Sequence, residues 1–243
     1  MPPAPSLPTT WSEAGHAGLG LHPDPRLGSI VGAAVAVILR PGPVLVSAIQ
    51  HFAAGVVFAA AAGEILPDLK HAGSPWATLV GGALGVFAML MLKNLGKRAK
   101  GPVGLMAVTG IDILVDGLVL GIAFAAGAKA GILLTVALTI EVLFLGLTVA
   151  TQFGEAGASK CKVVGLTAGL VVLLPLGALL GGPVSTLSAP VQAGFLALGL
   201  IALLYLVTEE LLVEAHKIED RPWVTAMFFA GFLLLLLLDQ AVA

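Results

Sequence analysis

The chain has one cysteine, one tyrosine and few charges: Lys, Arg, Asp and Glu together make up 11% of 243 residues. The lone Cys161 excludes an intrachain disulfide framework and a thiolate metal cluster. So few charges cannot cover the surface of a soluble domain, where about 25% is usual. A net charge of −2 provides no electrostatic footprint for nucleic acid. No Walker loop, dinucleotide-binding glycine pattern or nucleophile elbow is visible, and no nucleophile–base constellation, so an enzyme is not expected. In their place stand 58% hydrophobic residues and 31 glycines. That balance excludes a disordered chain and an ordinary soluble enzyme, and leaves a polytopic membrane protein.

Residues 1–26 hold six of the fifteen prolines together with His16 and His22. They read as an irregular extracytoplasmic arm, without the basic start and apolar run of a signal peptide. Two histidines in such an arm could capture a metal, but the pair is a weak signal. The remainder, 27–243, reads as one all-α transmembrane domain. Its apolar segments are 27–39, 43–66, 76–92, 103–126, 131–152, 163–180, 191–207 and 223–238. Runs of about 17–25 apolar residues are the length of membrane-crossing helices, not of barrel strands. The first is short, and its start lies open back to Gly18.

Basic residues orient the eight expected spans. Arg40, Lys93, Lys97, Arg98, Lys100, Lys160, Lys162, Lys217 and Arg221 follow odd-numbered spans, while Arg26, Lys70 and Lys129 lie on the other side. The positive-inside rule puts the larger group in the cytosol and both termini outside. An internal repeat agrees with this topology. Glu64-Ile-Leu-Pro-Asp68 ends span two as Glu210-Leu-Leu-Val-Glu214 ends span seven, and Trp76-Ala-Thr opens span three as Trp223-Val-Thr opens span eight. The two members of each pair cross in opposite directions, so the expected architecture is an inverted 3+2+3 repeat. Secondary transporters use such repeats and place their site between them. Chance likeness of helix ends is the plain alternative.

Ionisable residues inside spans are costly and mark function or partnership. At 1.5 Å per residue, Asp112 lies about 14 Å into span four, Asp116 one turn beyond it, and Glu141 about 15 Å into span five. No Lys or Arg shares these spans' interiors. Three such carboxylates need a cation, a proton or water; the bland reading is protonated groups hydrogen-bonded between helices. His51 lies about 12 Å into span two. It is a candidate ligand or proton shuttle, or a donor to a backbone carbonyl. Glu64 and Asp68 close span two, and Glu209, Glu210, Glu214 and His216 close span seven. They read as approach and exit of a pathway, or as solvated helix ends. Small-residue spacings such as Gly81/Gly85 read as helix packing.

His51-Phe-Ala-Ala-Gly-Val-Val-Phe, continuing to Gly-Glu-Ile-Leu-Pro-Asp68, resembles the second span of the ZIP (Zrt/Irt-like) metal transporters. Thr208-Glu-Glu-Leu-Leu-Val-Glu-Ala-His216 resembles their seventh and Pro175-Leu-Gly-Ala-Leu-Leu-Gly181 their sixth. The likeness covers almost the whole chain after residue 27. It implies eight helices in the cell membrane and alternating-access transport of a divalent cation. Zinc, manganese, iron and magnesium are the candidate substrates, and no further cofactor is implied. The expected partners are the bilayer and the metal ion, with a homodimer kept open. The central site departs from the family pattern. Where the family has His-Asn-x-Pro-Glu-Gly in span four, this chain has Asp112-Ile-Leu-Val-Asp116-Gly117. Anchored on Gly146, Glu141 takes the first ligand position of span five, while Val142, Phe144 and Leu145 replace an acid, a proline and a glutamate. Leu174 stands in span six where the family has glutamate. Asp112, Asp116 and Glu141 are then the expected metal ligands, with His51 as a fourth candidate. An all-oxygen set suits hard ions better than zinc, and unbroken helices offer no backbone carbonyls. The competing reading is a degenerate homologue that no longer carries divalent metal and serves another solute, or acts as a sensor or scaffold.

Overall fold

Proline sets where several helices begin, because its fixed φ suits the first helical turn and its missing N–H costs nothing there. Pro43, Pro75 and Pro222 open helices at the heads of three of the expected spans. The computed structural model describes residues 42–98, 101–155, 160–219 and 221–242. The arm at 1–26, with His16 and His22, and the expected first span at 27–39 lie outside the described residues. Within them the chain forms seven long apolar helices: α1 (Pro43–His71), α2 (Pro75–Arg98), α3 (Gly101–Ala126), α4 (Ala128–Glu155), a two-part α5 (Lys160–Val171 and Leu173–Gly181), α6 (Ala189–Ala215) and α7 (Pro222–Val242). Each is long and apolar enough to cross a bilayer, and no strand occurs among the described residues.

These helices correspond in order to expected spans two to eight. Most run past the apolar segments. α2 continues from Leu92 to Arg98 through three basic residues, and α6 continues from Val207 to Ala215 through three glutamates. Charged side chains end an apolar run without ending a helix, since Lys, Arg and Glu are themselves good helix formers. Pro175 breaks the hydrogen-bond ladder of α5 one turn back, at Val172. α3 runs unbroken through Asp112–Gly117, as the valine at position 115 leads one to expect, and α4 runs unbroken past Glu141.

Three close pairs of helices running in the same direction organise the bundle: α1 with α7, α2 with α6, and α3 with the second part of α5. In each pair glycine lets backbones touch. A Cβ on Gly231 would overlap the Phe52 carbonyl, and one on Gly85 would crowd the Leu198 carbonyl and Ile201. Gly117 and Gly121 interlock with Gly177 and Gly181 so tightly that a Cβ at any of the four would strike backbone. Close small-residue packing of this kind is how helices associate where lipid removes the hydrophobic drive between them. α4 packs against α1, α3, α5 and α7. The outward faces of α2, α5 and α7 are apolar, with Trp76, Phe87, Met91, Leu179, Phe229 and Leu237 all half or more exposed. Large exposed hydrophobic side chains over whole helix faces fit a lipid surround, and the chain is a multi-pass membrane protein by this measure.

Two short π-helical segments interrupt the α-helices, at Ala61–Ile65 in α1 and at Leu206–Leu211 in α6. The first holds Glu64 and the second holds Glu209 and Glu210. A π-turn carries one extra residue, so it rotates everything beyond it relative to the rest of the helix.

Candidate metal centre

Asp112 and Asp116 sit one turn apart on α3 and so share a face. Glu141 comes from α4. The three side chains are at most 4% exposed. Each offers a carboxylate oxygen, and these atoms lie within 4.8 Å of one another. Ligands around one hard cation, each about 2.0–2.6 Å from it, necessarily fall within about 5 Å of each other. The Asp116 and Glu141 carboxyls lie side by side within that spacing. Oδ2 of Asp116 and Oε2 of Glu141 have no hydrogen-bond partner among the described residues. Buried oxygens left without a partner are costly. A cation or proton at this point would satisfy them. Gly117, next in the chain to Asp116, holds α3 against the Leu174 backbone and so fixes the height of the site.

Glu210 approaches this cluster from α6, near enough for its charge to act on all three carboxylates. A cavity of about 320 Å³ is lined by Glu141, Phe144, Glu209, Glu210, Glu214 and Lys217 among others. One wall of it therefore belongs to the buried cluster and another to the charged end of α6. Lys93 of α2 is ion-paired with Glu209, and Lys217 with Glu214 at 2.5 Å. Lys93 was not foreseen as a counter-charge, because only the fold brings α2 beside α6; Lys217 stands three residues from Glu214 in the chain, so its pairing is local.

At the opposite end, Glu64 and Asp239 line a second cavity of about 150 Å³ between α1 and α7. Lys129 pairs with Asp239 at 2.6 Å. Asp239 gave no sequence signal, being a single acid at the end of the last apolar run. Asp68 lies one turn beyond Glu64 and is half-buried. The structure thus places Glu64 and Asp68 at one end of the bundle, and Glu209, Glu210 and Glu214 at the other, with the carboxylate cluster between.

His51 stands outside the set of three converging carboxylates. Its Nδ1 is 2.9 Å from the Ser47 carbonyl, so the ring donates to the backbone one turn back. Its ring meets that of His216 edge-on, centroids 5.0 Å apart. The neighbouring Ser47 hydroxyl donates to the Ala215 carbonyl at 2.8 Å, tying the start of α1 to the end of α6. Gln50, buried beside them, carries an Nε2 with no partner among the described residues. Neither Ser47 nor Gln50 was singled out in the sequence.

The chain matches no protein-family model and no curated protein.

Proposed function

We propose that the chain is a ZIP-like carrier that moves a divalent cation across a cell membrane by alternating access, with Asp112, Asp116 and Glu141 as the ion site. The observation that carries this reading is the convergence of three buried carboxylates, from two helices, onto one point with no Lys or Arg among them. An intramembrane cluster of one sign has no structural use that a polar or apolar trio would not serve at less cost. The ion comes down from the Glu64 and Asp68 end and leaves through the cavity that joins Glu141 to Glu209, Glu210 and Glu214. The reading keeps eight spans, of which the expected first, at 27–39, lies outside the described residues.

The inverted repeat is supported by packing. A shift of 146 residues carries Phe52 onto Leu198 and Gly85 onto Gly231, so the two glycine contacts exchange partners. It also carries Ala61–Ile65 into Leu206–Leu211, so both π-helical segments fall on the repeated motif. Spans four and five exchange in the same scheme. Asp112 and Gly117 are spaced as Glu141 and Gly146 are.

The degenerate reading draws on one feature. α3 and α4 are unbroken at the site, so the cation would have carboxylates and water but no backbone carbonyls. Purified protein in liposomes decides between the two. Uptake of Mn²⁺ or Zn²⁺ that is lost in Asp116→Asn supports transport, and no uptake of either ion favours the homologue without transport.

A further inference from the structure

The two cavities at opposite ends of the bundle share one feature: a π-turn forms a wall of each. Leu206, Glu209, Glu210 and Leu211 line the larger cavity beside Glu141, and Ala62, Gly63 and Glu64 line the smaller one beside Asp239. The turns are built alike. The Leu212 N–H donates to the Val207 carbonyl and the Leu66 N–H to the Ala61 carbonyl, each five residues back, and helical backbone continues on both sides. An inserted residue of this kind is not tied to one place. When hydrogen bonds change one by one between the carbonyls four and five residues back, the wide turn moves along the helix. Each residue that it passes advances one helical position, about 100° and 1.5 Å. The flanks need not move, and in α6 both are held. Leu198 and Ile201 close on Gly85 of α2, and the Ser47 hydroxyl donates to the Ala215 carbonyl.

The two turns differ in what pins them. A shift of 146 residues carries Pro67 of α1 onto Val213 of α6, Ala62 onto Thr208 and Gly63 onto Glu209. In a regular helix a proline ring collides with the carbonyl four residues back, and a widened turn directly before it relieves that collision. Pro67 therefore holds the turn of α1 where it is, and Val213 imposes no such constraint on α6. Thr208 adds a second difference. Its hydroxyl donates to the Leu204 carbonyl at 2.8 Å, so this carbonyl keeps a donor while backbone N–H groups change partners. Threonine side chains satisfy freed backbone groups in membrane helices in this way. The third difference is the adjacent pair Glu209 and Glu210. An advance by one position replaces one carboxylate with another in α6, whereas in α1 it would put Gly63 where Glu64 stands.

We infer that the π-turn of α6 is a movable register switch and that of α1 a fixed one. Movement toward Ala215 carries Glu210 one position toward the exit and brings Glu209 into the place that Glu210 leaves beside the carboxylate cluster. Glu209 must release Lys93 to do so, so the Lys93–Glu209 ion pair holds the register of this structure. The role of the switch, passing the ion from the cluster to the exit, rests on the transport reading; the movement itself does not.

The test copies the pin of α1 into α6. Val213 is half exposed, which leaves room for a proline ring. In Val213→Pro, calorimetry should show Mn²⁺ binding as in the wild type, while Mn²⁺ uptake into liposomes should fall by about a hundred-fold, the effect of an unrelieved helix proline on the shifted register. Val213→Ala should keep both. Uptake by Val213→Pro at the wild-type rate would overturn the inference. Hydrogen exchange of the wild-type protein in detergent gives a second answer should Val213→Pro fail to fold or to bind Mn²⁺. Backbone amides at Leu206–Leu211 should exchange faster than those at Ala61–Ile65, because only the former change partners. Equal or slower exchange in α6 would overturn the inference. A wild type that carries no ion would sink the transport reading alone, since the exchange comparison still decides whether the turn moves.

Discussion

Gly117 of α3 faces Leu174 of α5 so closely that a Cβ at position 117 would overlap the Leu174 carbonyl oxygen. Backbone cannot swing aside as a side-chain tip can, so Gly117→Ala must push the two helices apart. Overpacking of this kind costs about 1–3 kcal/mol, and more where backbone is struck. The displaced residue adjoins Asp116, so the cluster should lose its convergence as well. The expected outcome is a lower melting temperature together with metal binding weakened by about ten-fold or more, the latter equivalent to 1.4 kcal/mol. Gly169→Ala is the control. A Cβ there meets nothing within 4 Å, and alanine favours helix by roughly 1 kcal/mol. Its melting temperature should stay or rise. Equal losses in both variants would show that the close approach at Gly117 is not what holds the site.

Apolar run length and charge placement made the seven described spans legible, and the depth of Asp112, Asp116 and Glu141 in their runs made the buried cluster legible. A helical period alone put Asp112 and Asp116 on one face; bringing Glu141 to them needed only that spans four and five be neighbours. What the sequence did not disclose came from pairings between distant segments. Lys93 with Glu209, Lys129 with Asp239, and His51 with His216 each join residues more than a hundred positions apart. The π-turns were also hidden, because one extra residue in a turn leaves the apolar pattern almost unchanged. The Gly117/Gly121 and Gly177/Gly181 spacings were present in the sequence. Their partnership was not, since many other glycines recur at similar intervals.

Metal should stabilise the fold through the carboxylates. A ligand that binds only the folded state adds about 2.7 kcal/mol at a hundred times its Kd. Thermal unfolding in detergent should therefore shift upward with added Mn²⁺ in the wild type. Asp116→Asn and Glu141→Gln should abolish that shift. Without metal, each should unfold at or above the wild-type temperature, because removing one of several crowded like charges relieves repulsion. A Mn²⁺-dependent shift that survives both substitutions would place the ion elsewhere.

Sidedness is open to chemical labelling. His71 ends α1 and Lys97 lies near the end of α2, both exposed and at opposite ends of the bundle. In a Cys161→Ser background, His71→Cys should react with a membrane-impermeant maleimide added to intact cells. Lys97→Cys should react only after the membrane is opened. The reverse pattern would invert the orientation drawn from the basic residues and exchange the approach and exit of the ion. Reaction of both in intact cells would break the alternation on which the repeat rests.

Selectivity follows from donor chemistry. Asp112, Asp116 and Glu141 present only oxygen, and for a given site affinity rises from Mn²⁺ through Cu²⁺ with Zn²⁺ below Cu²⁺. Some zinc binding is expected from that order alone, so the informative quantity is the ratio of Zn²⁺ to Mn²⁺ transport. The wild type should carry Mn²⁺ at a rate comparable with Zn²⁺. Asp112→His introduces nitrogen at a buried position facing the other two carboxylates, and should raise the ratio in favour of Zn²⁺ while slowing Mn²⁺. Asp116→Asn should slow both, because it removes a charge that no neighbour replaces. Competitive uptake of the two ions into liposomes measures all three. A wild type that carries zinc far better than manganese, with Asp116→Asn as active as the wild type, would move the path away from the carboxylate cluster.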